Sequence, residues 1–286
     1  MKQMVSENGH YLIGLEQNKT GLLSDPIQFP EYAVLLIHKG KGTYHADFSS
    51  FGFSGPMLLF ATPMQTIYLQ SETPVTYTLL RFHTDFYCIE THREEVACNG
   101  LLFNTIYIEP SVTISETEHT ALYQLIEQMK EELERKDRSE MVIRAYLQLL
   151  LAKCSSMKLR SLNDKELNLP KDAIMEKFRL LLDEHYLTLH KPNDYADLLA
   201  VSPNTLSKKA VRYFGKTPSQ LIQERLILEA KKMLHLTSYS IKEIAYRLQF
   251  NDEYYFSRFF KKHTQVSPLV FRNESGRTTT VNLSIQ

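Results

Sequence analysis

The chain has 286 residues, with 33 Lys and Arg, 33 Asp and Glu, three cysteines and a formal net charge of zero at pH 7. The zero total hides an asymmetry, because residues 1–169 carry 15 basic and 21 acidic side chains whereas residues 170–286 carry 18 and 12. The length suits two domains. The acidic first half is not expected to bind a polyanion such as DNA. Three cysteines without a CxxC pair argue against disulfides and against a zinc site.

The N-terminus, MKQMVSENGH, contains neither the apolar region nor the cleavage site of a signal peptide. The longest apolar stretch, residues 145–152, is interrupted by Gln148 and is too short to span a bilayer. Cys88, Cys98 and Cys154 fit buried thiols in a reducing compartment. We therefore expect a cytoplasmic protein without a membrane partner.

Short apolar or alternating runs, separated by Gly, Pro, Ser and Asn, characterise about residues 10–110. The clearest runs are YAVLLIH, GTYHADF, PMLLFAT, QTIYL and VTYTLLRFH. Many short strands with turn signals between them are typical of a sandwich or barrel. We predict a β-barrel over this region.

Five polar or aromatic residues in or beside these strands are candidates for lining a small-molecule pocket. They are Tyr44, His45, Tyr68, Arg81 and His83. An arginine can pair bidentately with a carboxylate or phosphate, so Arg81 could anchor an anionic effector. The alternative, that each of the five belongs to a cross-strand pair on the surface, stays open.

Two helical patterns follow, at about residues 116–136 and 140–157. Their apolar stripes are Leu122, Leu125, Ile126, Met129 and Leu133 in the first, and Val142, Ile143, Tyr146, Leu149 and Leu150 in the second. The inner faces could cover the barrel and the rest could pair with a second chain, so a homodimer through residues 115–155 is predicted. Packing wholly within one subunit is the alternative.

Hydrophobicity drops over residues 156–170, where Ser, Asn, Asp and Pro170 occur. This composition predicts a linker between a first domain, residues 1–155, and a helical second domain, residues 171–273. Residues 274–286 are expected to form a loosely ordered tail.

The second domain contains a first helix-turn-helix pattern near residue 200. Ser202 is a good helix cap and Pro203 suits a first helical position, so a helix is predicted to begin there. Its exposed face would carry Asn204, Ser207 and Lys208. Residues 221–236 have the length and periodicity of one connecting helix.

A second such pattern lies in residues 241–272. Ile241, Ile244, Ala245 and Leu248 form one apolar stripe, Asn251 and Asp252 are capping residues, and Phe256 and Phe260 would be buried one turn apart. The exposed face would carry Glu253, Tyr254, Ser257, Arg258, Lys261 and Lys262. A charged helix face by itself is usually only a solvated face.

The pattern occurs twice, however, which favours a pair of DNA-reading units. Ala196, Leu199, Ala200 and Val201 match Ala245, Leu248, Gln249 and Phe250 at an offset of 49. Leu206, Ser207, Lys208, Thr217 and Pro218 match Phe256, Ser257, Arg258, Ser267 and Pro268 at an offset of 50. Two basic readers on one rigid spacer could enter successive major grooves about 34 Å apart.

The two units resemble the DNA-binding domain of the AraC/XylS transcription regulators. The matching runs are DYADLLAVSPNTLSKKAVRYFGKTPSQLIQERLILEAKKML and IKEIAYRLQFNDEYYFSRFFKKHTQVSPLVFR. The resemblance implies seven helices, with base reading by Asn204, Ser207 and Lys208 in one unit and Glu253, Tyr254, Ser257 and Arg258 in the other. Phosphate contacts are expected from Lys209, Lys216, Lys261 and Lys262.

The sequence departs from that family at two turns, where Gln249 and Gln265 replace the usual glycines while Gly215 is kept. Glycine serves such turns because it accepts positive φ, so the two glutamines are expected in strained or altered turns. This departure puts the docking angle of the second unit in doubt.

The first half is similar in layout to the cupin-like barrels that precede this DNA reader in the family. A cupin enzyme would hold a metal with an HxH pair, a glutamate and a further histidine, whereas His38, His45, His83 and His92 are isolated. Isolated histidines are more often ordinary surface or hydrogen-bonded residues. We predict no metal, no cofactor and no enzymatic activity.

These features predict an α+β protein of two domains: a cupin-like β-barrel with helices, then an all-α domain with two helix-turn-helix units. The predicted function is a transcription regulator, by family habit an activator, that binds double-stranded DNA, responds to a small-molecule effector and contacts RNA polymerase. Two alternatives stay open: a first half that only dimerises, and a cupin-type enzyme with an accessory helical domain.

Overall fold

The structure is a computed structural model that describes residues 2–6, 9–17, 21, 23–47, 49–87, 101–103, 106–107, 109–168 and 172–275. The chain divides into two compact units. Unit 1 comprises Met1–Thr105 and Glu109–Asp164, and unit 2 comprises Ile106–Ile108 and Lys165–Gln286. Three residues, Ile106–Ile108, therefore belong to unit 2, although the chain on both sides of them belongs to unit 1.

Unit 1 combines two antiparallel sheets with two helices, which confirms a β-rich first domain followed by helices. Its strands are β1 (Lys2–Val5), β2 (Tyr11–Gln17), β3 (Ile27–Gln28), β4 (Tyr32–Lys39), β5 (Lys41–Ala46), β6 (Ser49–Ser54), β7 (Met57–Ala61), β8 (Thr66–Gln70), β9 (Thr76–Phe82) and β10 (Ser111–Thr113). The strand orders are β1-β2-β9-β4-β7-β10 and β3-β8-β5-β6. The first sheet thus begins at Lys2, ahead of the predicted start near residue 10.

Two separate cores lie on the opposite faces of the larger sheet. In β4, Ala33, Leu35 and Ile37 face the core shared with the smaller sheet. Val34 and Leu36 face the core shared with the helices. The sheet is therefore buried on both sides, which explains why YAVLLIH is continuously apolar rather than alternating.

The helices of unit 1 are α1 (Glu116–Glu134) and α2 (Glu140–Asn168). A capping box formed by Ser115 and Glu118 starts α1. The predicted stripe of α1 is buried throughout, from Leu122 to Leu133. The predicted stripe of α2 divides, because Ile143 and Leu150 are buried whereas Val142 and Leu149 are exposed.

The predicted linker, residues 156–170, is helical over most of its length, because α2 continues to Asn168. The boundary between the two units, between Asp164 and Lys165, falls within it. Burial explains the extension: Met157 and Lys158 lie inside unit 1. The Lys158 Nζ atom donates to the carbonyl oxygens of Glu109 at 2.7 Å and Ser111 at 2.6 Å. Hydrophobicity could not reveal this helix, since a lysine that satisfies buried carbonyls looks like a solvated residue in the sequence.

Three histidines that stand alone in the sequence, His38, His45 and His83, have hydrogen-bond partners, in agreement with the expectation of hydrogen-bonded residues. His38 Nδ1 lies 2.8 Å from His119 Nε2, and His38 Nε2 lies 2.8 Å from the Thr78 hydroxyl, so this pair joins β4 to α1. Burial, and then the His119 ring, lowers the pKa of His38. His92, like Cys88 and Cys98, lies outside the described residues. Among the residues that are described, no group of three or more His, Cys, Asp or Glu could hold a metal.

Unit 2 contains seven helices within residues 172–275, as the family resemblance implied. They are α3 (Ala173–His185), α4 (Pro192–Leu198), α5 (Pro203–Phe214), α6 (Pro218–Leu236), α7 (Ile241–Arg247), α8 (Glu253–Thr264) and α9 (Pro268–Ser275). The helix α6 is the predicted connecting helix, and it packs against each of the other six. Helix α9 covers the first residues of the predicted tail, and residues 276–286 of that tail lie outside the description.

Within the part of the chain that the structure describes, no helix is both long enough and apolar enough to cross a membrane.

Candidate nucleic-acid interface

The first helix-turn-helix unit consists of α4 and α5. Ser202 caps α5 by accepting a hydrogen bond from the Thr205 backbone N–H, and Pro203 occupies the first helical position, as predicted. Leu206 and Ala210 bury one face of α5 in the core of unit 2. The opposite face of α5 is left to solvent.

The second unit, α7 and α8, repeats this construction. Asp252 caps α8 by accepting from the backbone N–H groups of Tyr254 and Tyr255. Phe256 and Phe260 are fully buried one turn apart, as predicted. A cluster of aromatic rings around Phe250 anchors the turn between the helices.

The turns of the two units share one backbone conformation. Ala200 has φ 53° and its counterpart Gln249 has φ 60°. At the ends of the two readers, Gly215 has φ 70° and Gln265 has φ 65°. Of the two alternatives expected at the glutamines, a strained or an altered turn, the structure has the strained, left-handed conformation at both. Ala200 adopts the same left-handed conformation, which sequence reasoning missed because alanine carries no signal for it.

Each reader exposes three residues that repeat every four positions and therefore lie on one helix face. They are Asn204, Lys208 and Arg212 on α5, and Tyr254, Arg258 and Lys262 on α8. The two sets correspond one to one at the offset of 50. The other predicted base readers, Ser207, Glu253 and Ser257, are half-buried beside these faces.

The four lysines expected at phosphates differ in their surroundings. Lys261 and Lys262 are exposed near the end of α8. Lys209 instead forms an ion pair with Asp172, the cap of α3, and this hydrogen bond is the main cause that lowers the pKa of the Asp172 carboxyl. Lys216 is 13% exposed and lies 2.6 Å from Glu224. Sequence alone could not show that these two ammonium groups already have anionic partners.

The five predicted effector residues do not form one site. Tyr44 points between the sheets, but its hydroxyl donates to the Phe60 carbonyl at 3.1 Å. His45 and Tyr68 lie opposite each other in the register of β5 and β8 and stack with ring centroids 4.1 Å apart, on the face away from the inner core. They form a cross-strand pair, which is the alternative that the sequence left open. His83 Nδ1 accepts a hydrogen bond from the Asp85 backbone N–H at 3.2 Å.

Arg81 faces inward, but two glutamates already hold its guanidinium. Glu16 and Glu31 each lie 3.1 Å from it, and all three side chains are largely buried. The rings of Phe29 and Tyr11 flank the guanidinium at 4.6 and 5.0 Å. Sequence reasoning missed both glutamates. The available signal was a glutamate in the otherwise apolar run YLIGLEQ, which is typical of a buried, paired charge.

Two family models match the chain. Residues 9–151 match a model described as an AraC-like ligand binding domain, and residues 195–274 match a helix-turn-helix domain. Together they cover the strands β2 to β10, helix α1, the first part of α2 and both readers.

Among curated relatives, the HTH-type transcriptional activator RhaS of Enterobacter sp. (strain 638) is 26% identical over 151 residues, which is 52% of each chain. RhaS of Salmonella schwarzengrund is 28% identical over 97 residues, 34% of this chain and 35% of the relative. The chain thus matches about half or less of the length of these relatives.

Among solved structures, the K231A variant of ToxT from Vibrio cholerae is 16% identical, with a TM-score of 0.42, over 92% of this chain and 97% of ToxT. The C-terminal domain of the response regulator yesN from Fusobacterium nucleatum is 25% identical, with a TM-score of 0.34, over 35% of this chain and 99% of that domain.

The left-handed turns generate a stability prediction. Replacing Gln249 with glycine removes the steric cost of positive φ but adds backbone entropy to the unfolded chain, so a gain of about 0.5–1 kcal/mol is expected. Thermal unfolding of the purified variant should have a higher midpoint temperature than that of the wild-type chain.

Gly215→Ala is the matched opposite change, because a Cβ there would meet nothing within 4 Å and only φ is tested. It should lose about 1 kcal/mol. A lower midpoint for Gln249→Gly would mean that the glutamine side chain stabilises the turn by more than the strain costs.

Proposed function

Because the chain belongs to the AraC family of DNA-binding transcription regulators, we propose that it activates transcription by binding duplex DNA through α5 and α8 under control of a small-molecule effector in unit 1. The single observation that carries the DNA-reading role is the duplicated exposed face, since both readers share turn conformation and exposed positions. A solvated helix face has no reason to repeat in this way.

The proposed roles follow from the chemistry of each exposed side chain. Lys208 and Arg258 lie at the centres of the two faces and would donate to guanine edges, while Asn204 and Tyr254 would contact neighbouring bases. Arg212, Lys261 and Lys262 would neutralise phosphates. Lys209 and Lys216 are left out of these roles, because each would first have to leave a carboxylate.

Substitutions on the readers should separate base reading from phosphate binding. Lys208→Ala or Arg258→Ala should weaken binding to captured genomic sites by about 1–3 kcal/mol while changing binding to random duplex much less. Lys261→Ala should weaken both about equally and reduce the salt slope by about 1. The measurement is fluorescence anisotropy with the full chain at several salt concentrations.

Lys177→Ala provides the control, because it removes one exposed lysine from α3, which is neither of the two reader helices. It should leave affinity and salt slope unchanged. The DNA-reading proposal fails if the chain retains no genomic fragment or if its binding does not respond to salt. The base-reading roles fail if Lys208→Ala and Arg258→Ala weaken cognate and random DNA equally.

The charges around Arg81 constrain the effector that we propose for unit 1. One guanidinium and two carboxylates leave this buried cluster with a net charge of −1. A carboxylate effector at Arg81 would add a third anion beside Glu16 and Glu31, whereas a hydroxyl or a cation would not. We therefore propose a neutral polar or cationic effector, in place of the anion that the sequence first suggested.

Thermal-shift screening of the full chain against polyols, amines and organic acids tests the effector proposal. A ligand at 100 times its Kd should stabilise the chain by about 2.7 kcal/mol, and Glu31→Gln should reduce the shift. Shifts produced only by organic acids would overturn the proposed chemistry. If none of the ligands produces a shift, the alternative that unit 1 only dimerises is favoured.

Helix α2 supports a homodimer through its outer face. Val142, Ala145, Leu149, Ala152, Ser156 and Leu159 follow one another at alternating spacings of three and four. Val142, Leu149 and Leu159 are 38%, 47% and 44% exposed. Small and apolar residues at this spacing form the seam of a two-stranded coiled coil. We propose that two copies of α2 pair along it, which would let four readers engage one DNA.

A charge in the seam should separate the copies. Leu149→Lys should convert a species of twice 33.3 kDa into a monomer of 33.3 kDa, measured by light scattering behind size exclusion. Leu180→Lys is the matched control, because Leu180 is 59% exposed on α3 in unit 2. A wild-type chain that is monomeric at micromolar concentration, or a variant that stays dimeric, rejects this interface.

Contact with RNA polymerase and a cytoplasmic location are further parts of this proposal, because an activator of transcription must meet both the promoter and the polymerase. No catalytic role is proposed, since the family consists of transcription regulators.

A further inference from the structure

A short segment from the first half of the sequence, residues 106–107, packs in unit 2. Ile106 is 3% exposed and packs in the same apolar cluster as Phe178 and Leu206. The Tyr107 ring lies 5.7 Å from that of Phe214, at the end of α5. The Tyr107 hydroxyl donates to the Asp183 carboxylate at 3.2 Å. The segment thus contacts residues of both α3 and α5.

Lys216, which lies between α5 and α6, also binds this segment. Its ammonium group lies 3.3 Å from the Ile106 carbonyl oxygen and 2.6 Å from Glu224 of α6. Arg225 of α6 also binds the Asp183 carboxylate, at 3.2 Å. Residues 106–107 are therefore held at the junction where the first reader ends and the connecting helix begins.

The next described residues of the same chain are held in unit 1. Lys158, only 5% exposed, donates to the carbonyls of Glu109 and Ser111, and Ser111 begins β10. Tyr107 and Glu109 are two positions apart in the sequence. We call residues 106–107 and 109–111 together the strap. One of its ends is bound to the DNA reader, and its other end is bound to α2, which carries the proposed dimer seam.

We infer that the strap is a positioning element of the first DNA reader: Ile106 and Tyr107 set the junction of α5 and α6, and Lys158 transmits displacement of α2 to them through residues 109–111. This inference rests on the proposed function for its purpose. The Cα atoms of Tyr107 and Glu109 can lie at most about 7 Å apart, because that is the length of two residues of extended chain. A signal reaches α5 only if the strap has two arrangements that the effector favours unequally.

Tyr107→Phe tests the positioning role by removing the bond to Asp183 while keeping the ring against Phe214. Hydrogen exchange of the full chain, followed by mass spectrometry without DNA, should become about five- to tenfold faster at residues 212–221. Tyr44→Phe is the control, since it removes a different tyrosine hydroxyl hydrogen bond, which lies in unit 1. Unchanged exchange at residues 212–221 in Tyr107→Phe would overturn the positioning role.

Lys158→Met tests transmission, because it releases Glu109 and Ser111 from α2. It should also accelerate exchange at residues 212–221, whereas Lys130→Met, which removes a half-buried lysine of α1 that binds Gln17, should not. If Lys158→Met does not fold, Lys158→Gln keeps one donor and replaces it. Changes confined to unit 1 would overturn transmission. Since no DNA is present, such a failure is distinct from failure to bind DNA.

Discussion

The burial of one helix, α6, organises the DNA-binding unit. Seven of its residues are buried, from Pro218 to Leu234, and it packs against all six other helices of the unit. Both readers are therefore positioned relative to a single helix rather than to each other through loops. A displacement at the start of α6 would consequently also displace the first reader. The contacts of Lys216 and Tyr107 lie at this point, so they affect the position of the reader as well as local stability.

Carboxylates decide which cations are available for a partner. Lys208 and Arg258 are exposed on the reading faces, whereas Lys209 and Lys216 pair with Asp172 and Glu224 within unit 2. The same rule applies inside unit 1, where two glutamates hold the guanidinium of Arg81. A cation that already has an anionic partner has less to gain from a phosphate or an acidic ligand, because the first pair must break.

Helix α2 serves two different surfaces. Its inner residues, such as Ile143 and Leu150, belong to the core against the larger sheet. Its outer residues follow a heptad spacing, and its buried Lys158 holds the strap. In the proposed mechanism one helix therefore joins dimerisation, the sensing unit and the chain that leads to the first reader, so that an effector needs to displace only this element.

The sequence alone determined much of the DNA-binding unit. The repeated pattern located both readers, and Ser202 and Asp252 were recognised as caps. The glycine replacements at Gln249 and Gln265 drew attention to two turns that have positive φ in the structure. These features are local, and helix periodicity, capping and turn conformation depend on residues within a few positions of each other.

Tertiary structure decided the features that depend on distant partners. These include the extension of α2 through the expected linker, the outward direction of His45 and Tyr68, the ion pairs of Lys209 and Lys216, and the transfer of Ile106 and Tyr107 to unit 2. Each rests on a contact between residues far apart in the chain. Composition and spacing report what a side chain is able to do, and only its neighbours in space settle whether its charge or hydrogen bond is already satisfied.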